Sequence, residues 1–116
     1  MSQHDNVIRL RHMLDHAGEA QAMIQGKKKE DLDRDRQLNL ALVRLMEIVG
    51  EAAGKIPQED RSRYPRIPWG EIVSLRNRLI HGYDSVDFDI LWQIVTSDIP
   101  LLIAELEKII PPTPKK

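Results

Sequence analysis

The stretch PWGEIVSLRNRLIHGY, Pro68 to Tyr83, decides how the rest of this chain is read. Pro68 suits a first helical turn, where its missing N–H has no intrahelical acceptor to lose, and Gly82 suits a helix end, so one short helix is expected between them. At roughly 100° per residue, Ile72, Val73, Leu75, Leu79 and Ile80 share one broad face, and the Arg76 side chain projects from its middle. A guanidinium there is aimed at a core or an interface. It cannot shed its proton, so it needs acceptors: carboxylates, carbonyls or a phosphate. Asn77 and His81, four apart, neighbour each other on one flank, and Tyr83 returns to the side of Arg76 if the helix lasts that long. A structural account stays open at this point: Arg76 paired with a carboxylate on a neighbouring helix, His81 capping a helix C-terminus, Tyr83 packed beside it.

The spelling of the motif narrows the choice. Arg76, Asn77, three residues, His81, one residue, Tyr83 resembles the RX4HXY signature of the HEPN superfamily, specifically the HepT-like ribonuclease toxins encoded beside a minimal nucleotidyltransferase antitoxin. Two further blocks resemble that family in the same order along the chain: LMEIVGEAA, Leu45 to Ala53, and the text from Ile90 to Leu101, which looks like the family's last helix. The resemblance implies an all-helical, metal-independent and dimeric ribonuclease with the motif at the interface.

Working outward, 116 residues suffice for one compact core and not for two. A single domain is expected over residues 1–110, followed by a disordered tail, PPTPKK, over 111–116. The absence of cysteine excludes disulfides and thiolate chemistry. No apolar run is long enough to span a membrane, and the N-terminus lacks the apolar middle of a signal peptide, so the expected compartment is the cytoplasm. Formal net charge is −1, so any attraction for nucleic acid must be local. Arg61, Arg63, Arg66 and Arg78, around and within the motif helix, are the RNA-binding candidates. Lys27 to Lys29 are a weaker choice, because the acidic run Glu30, Asp31, Asp33, Asp35 follows at once.

Apolar spacing predicts a first helix over about 5–25, ended by Gly26, and a long second one from about Leu32 to Lys55 that is apolar over more than one stripe. Gly50, with Ala53 and Gly54, offers a small-residue surface for a close helix crossing. Pro57 stops this helix, and the Pro-rich connection after it holds one helical turn before the motif helix. Asp87 or Asp89 is the expected N-cap of a last helix, which Pro100 should bend or break. Phe88 and Trp92 share the apolar periodicity and are read as core anchors. His12 and His16 have a chelating spacing but no third ligand, and no metal or cofactor is expected. The architecture is an all-α, antiparallel bundle of four main helices with a short extra turn before the motif helix.

Metal-free RNA cleavage needs a group to take the 2′-OH proton, another to protonate the leaving 5′-oxygen, and positive charge for the transition state. His81 can serve one proton transfer, Arg76 can stabilise the equatorial oxygens, and Asn77 can orient an imidazole or a phosphate oxygen. Glu47 and Glu51, one turn apart on the second helix, are candidates to hold the guanidinium in place. One chain offers one obvious group titrating near neutrality where two are wanted, which a two-fold dimer or a higher assembly would supply. Tyr83 can contact substrate. Its position also matches the tyrosine that, in the family it resembles, the nucleotidyltransferase antitoxin modifies with AMP, adding a charge that would repel RNA. The implied function is the toxin of a type II/VII-like pair. Against it stand an inactive binding module that partners a nucleotidyltransferase, and a structural dimer in which Arg76 is a buried ion-pair residue.

Overall fold

The computed structural model describes residues 3–80 and 86–110, with side chains from Asp5 onward. The first helix, α1 (Gln3–Met23), buries Leu10, Met13, Ala17 and Ala20, a three-to-four residue rhythm that points one stripe inward. Gly26 then turns the chain with φ of 72°, a conformation that costs a glycine little.

The second apolar run is not one helix. It divides into α2 (Lys29–Arg34) and α3 (Arg36–Gly54) at Asp35, whose backbone is extended (φ −91°, ψ 98°) and whose carboxylate accepts from the Leu38 N–H at 3.1 Å. The expected single helix from Leu32 to Lys55 is thus corrected: a short acceptor at Asp35 gives the backbone a cap in place of another helical turn. Asn39 stitches the two pieces together, donating from Nδ2 to the Leu32 carbonyl at 3.1 Å. Lys29 donates to Asp33 in its own helix (2.7 Å) and meets Asp89 in the stretch 86–110 (3.0 Å), and its hydrogen bonds to these two carboxylates raise its pKa above the usual ammonium value.

After α3 come a single turn, α4 (Gln58–Arg61), and the motif region, which is also two pieces, α5 (Trp69–Val73) and α6 (Leu75–Leu79). The expected uninterrupted helix to Gly82 is corrected at both points: it breaks at Ser74 and ends at Leu79, while Gly82 lies outside the described residues. The last rod comprises α7 (Phe88–Gln93), a π-helical segment (Ile94–Asp98) and α8 (Ile99–Ile109). Asp87 caps it, accepting from the Ile90 N–H at 3.0 Å. Pro100 neither breaks nor ends the rod. The widened π turn, with the Ile99 N–H reaching back five residues to the Ile94 carbonyl, absorbs the missing proline donor.

α3 is the centre of the bundle. It packs against α1, α2, α5, α6 and α7, and α8 closes the other side of α1. Leu42, Met46, Val49, Ile72, Leu75, Leu79, Leu91, Ile94 and Leu102 are fully buried in one continuous core, each worth about 1.5–3 kcal/mol of burial. Phe88 and Trp92 pack at its edge, as expected of anchors. The slab measures 42 × 37 × 20 Å, about two helices thick. Among the described residues no helix is long and apolar enough to cross a membrane. The tail at 111–116 lies outside the described residues.

Candidate functional site

The site begins with a close crossing. A Cβ on Gly50 would stand 3.1 Å from the Ile72 carbonyl oxygen and 3.5 Å from that of Val73, so α3 passes directly against the C-terminal carbonyls of α5. A methyl there would need the Ile72 carbonyl to give by a few tenths of an ångström, so a small residue favours the approach, which is the crossing expected of the Gly50 surface. Those carbonyls border the break at Ser74 (φ −93°, ψ 12°), whose hydroxyl donates back to the Gly70 and Glu71 carbonyls at 2.8 and 3.2 Å.

Beyond the break, α6 restarts with Leu75 and Leu79 as its buried line. Arg76 falls about 100° round from Leu75. Its side chain is 65% exposed, which corrects the placement of the guanidinium in the middle of the apolar face; Val73, on the same expected face, is 38% exposed. Arg76 Nε donates to Glu47 Oε2 on α3 at 3.1 Å, and that carboxylate side chain is only 20% exposed. A mostly buried acceptor thus orients an open cation.

Of the two carboxylates expected to hold Arg76, Glu47 does so. Glu51 reaches Arg44 instead (3.6 Å), and Arg44 also lies 3.7 Å from Glu47. Arg44 was not among the residues singled out in the sequence. Its i, i+3 spacing from Glu47 and i, i+7 spacing from Glu51 was the available signal.

The chain then leaves α6 through a clasp. The Ile80 N–H bonds the Arg76 carbonyl at 3.0 Å, Ile80 pairs antiparallel with Val86, and the Asp87 N–H bonds the Leu79 carbonyl at 3.0 Å. Ile80 and Val86 are therefore held together one turn beyond Arg76. His81 and Tyr83 themselves lie outside the described residues. Asn77 is exposed next to Arg76.

This helical frame can be compared with known proteins. The family model described as "Ribonuclease HepT-like" matches residues 13–109, most of the chain. The chain belongs to the HepT-like ribonuclease family. It is 41% identical over 80 residues to "Probable ribonuclease HepT" of Thermococcus cleftensis, covering 69% of this chain and 73% of that one. It is 35% identical over 101 residues to "Putative RNase TTE0752" of Caldanaerobacter subterraneus, covering 87% and 90%. With "Putative RNase MJ1380" of Methanocaldococcus jannaschii the identity is 34% over 107 residues, covering 92% and 98%. No solved structure matches the chain.

The remaining arginines of this HepT-like chain divide by what they touch. Arg61 donates from Nε to the Ile56 carbonyl (2.8 Å) and from Nη2 to the Gly54 carbonyl (3.2 Å), capping the C-terminal end of α3. Arg78 donates from Nη1 to Asp98 Oδ2 at 2.9 Å, and both side chains are largely buried, at 30% and 19% exposure. Arg63 lies 3.7 Å from Asp60 and is exposed, and Arg66 is exposed. Asp98 was also unforeseen, because twenty residues separate it from Arg78 and no local spacing links them. His16 Nδ1 sits 2.7 Å from the His12 carbonyl oxygen, which occupies one nitrogen of that pair. Among the described residues no three His, Asp or Glu side chains converge to hold a metal ion.

Proposed function

We propose that the chain is an endoribonuclease that cleaves RNA without a metal, the toxin of a toxin–antitoxin pair. The observation that carries this reading is the exposed Arg76 guanidinium, oriented by Glu47 and set one turn before the paired Ile80 and Val86. Membership of a family described by ribonuclease activity supports it.

The chemistry follows from the residue types. A base takes the proton from the 2′-OH, the 2′-oxygen attacks the adjacent phosphorus, and the P–O5′ bond breaks as an acid protonates the leaving oxygen. The products are a 2′,3′-cyclic phosphate and a 5′-hydroxyl. His81 carries one of the two proton transfers and its copy in a second protomer carries the other, so the working unit is a two-fold dimer with Arg76 from both chains lining one cleft. The planar fork of Arg76 stabilises charge on the equatorial oxygens, and Asn77 orients a phosphate oxygen or the imidazole. The partner that silences the enzyme is a minimal nucleotidyltransferase that transfers AMP from ATP to Tyr83, the phenol oxygen displacing pyrophosphate from the α-phosphorus, which adds negative charge and repels RNA.

In the single chain Arg76 is 65% exposed, which favours an open cation over the ion pair of a purely structural bundle. The test is cleavage of RNA in EDTA by the unsubstituted chain and by His81→Ala. The expected result is cyclic-phosphate ends from the first and about a hundredfold less product from the second. Equal degradation by both would sink the reading. Sedimentation should give a mass near twice the 13.4 kDa chain, and a strict monomer at micromolar concentration would remove the two-histidine cleft.

A further inference from the structure

Away from Arg76, a second cationic feature appears that the chemistry above does not use. The connection from α4 to α5 and the C-terminal half of α8 enclose a cavity of about 250 Å³, with Arg63, Tyr64 and Arg66 on one wall and Glu105, Lys108 and Ile109 on the other. Three cations face one carboxylate there, a net charge of +2 in a chain whose formal net charge is −1. The carboxylate is partly spent, since Lys108 donates to Glu105 at 3.2 Å. Arg63 reaches the mostly buried Asp60 only at 3.7 Å, a long contact that leaves its own side chain exposed. Arg66 has no ion-pair partner among the described residues.

The wall is built in advance. Arg61 bolts the start of the connection to the end of α3, the Trp69 Nε1–H donates to the Tyr64 carbonyl at 3.1 Å, and the Ile67 N–H bonds the same oxygen at 3.2 Å. Ile67 is buried at 2% exposure, which pins the wall to the core. Tyr64 and the two arginines thus ride on a braced segment, so a ligand has little ordering cost to meet.

We infer that this cavity is a subsite for one nucleotide of single-stranded RNA, with the base against the Tyr64 ring and the backbone phosphates on Arg66 and Lys108. An aromatic ring beside Arg66, which has no ion-pair partner among the described residues, and the solvent-exposed Lys108, over an apolar floor, suits a base with its phosphate, because every base offers a π-face and the cations need no sequence. The cavity lies just under the usual range for a whole small-molecule site, about 300–1,000 Å³, a size that suits one nucleotide rather than a larger ligand. The inference rests on RNA being the substrate, and it adds a grip on the strand outside the reacting phosphodiester.

The probe is a fluorescent 2′-O-methyl oligouridylate, which has no 2′-OH to attack and so stays intact on the active chain. Anisotropy titrations at several salt concentrations compare the unsubstituted chain with Arg66→Ala/Lys108→Ala and with Tyr64→Leu, each checked by thermal melting. The double variant is expected to bind about tenfold more weakly. Its log–log salt slope should be shallower by about 1.4, the change expected for two lost phosphate contacts on a single strand. Tyr64→Leu should also weaken binding about tenfold, with the slope unchanged.

Unchanged affinity and slope in the folded double variant would overturn the subsite, and so would oligoglutamate displacing the probe as well as unlabelled RNA does, which would assign the cavity to an acidic protein. Failure of the ribonuclease reading looks different: probe binding persists with its salt dependence while an ordinary 2′-OH RNA is left uncut.

Discussion

On the flank of α6 that faces α3, Arg76 leans on Glu47 and leaves most of its guanidinium in water. On the opposite flank, two residues along, Arg78 turns inward to Asp98 in the π-helical segment and is largely covered. The residue type, the helix and the partner chemistry are the same. What differs is how much water each guanidinium keeps, since the two carboxylates are about equally covered. An open cation with a buried orienting carboxylate can still accept a phosphate, whereas a covered pair has exchanged both hydration shells for each other and serves to hold elements together. The contrast separates a group available for chemistry from one committed to the fold.

The sharpest way to break that contrast is to remove each arginine in turn. Arg76→Ala should lower RNA cleavage by about a hundredfold or more, the usual cost of losing a charge-stabilising donor. Denaturant unfolding of that variant should shift by less than about 1 kcal/mol, because Arg76 itself is exposed and Arg44, 3.7 Å from Glu47, remains to partner the carboxylate. Next in size is Gly50→Leu, which drives a side chain into the Ile72 and Val73 carbonyls and should cost about 2–3 kcal/mol. Gly50→Ala should lose less, because a helix-propensity gain of about 1 kcal/mol offsets its crowding.

Arg78→Ala comes third. It leaves Asp98 covered without its partner and should cost about 1–2 kcal/mol in unfolding experiments while cleavage stays within about threefold. If Arg78→Ala matched Arg76→Ala in lost cleavage with unchanged stability, the division of roles between the two flanks would be wrong. The smallest expected effect is that of Asp35→Ala, which removes the N-cap of α3 and should lower stability by about 1 kcal/mol with no change in cleavage.

Most of the frame was legible along the chain because burial at three- and four-residue intervals is a local property. The all-α class, the Asp87 cap and the small-residue crossing at Gly50 all follow from spacing or from residue size. The breaks were harder to read. Asp35 and Ser74 sit inside apolar runs that continue in register on both sides, so periodicity passes over them, while a side-chain oxygen bonded to nearby backbone decides the geometry. The π turn before Pro100 was signalled only as an interruption, since a proline marks a missing donor without saying how the helix accommodates it.

By itself, the order of residues determined that this chain is a helical bundle of the HepT-like family, and narrowed the carboxylate expected to hold Arg76 to Glu47 or Glu51. Tertiary structure alone decided which cations stay open. Arg61, Arg76 and Arg78 are alike as letters, yet one caps α3, one faces water and one is covered by Asp98. The physical reason is that a guanidinium's role depends on which acceptors the packed helices bring to it and how much water they leave. Those acceptors come from segments as far as 29 positions away, at distances that no local pattern records.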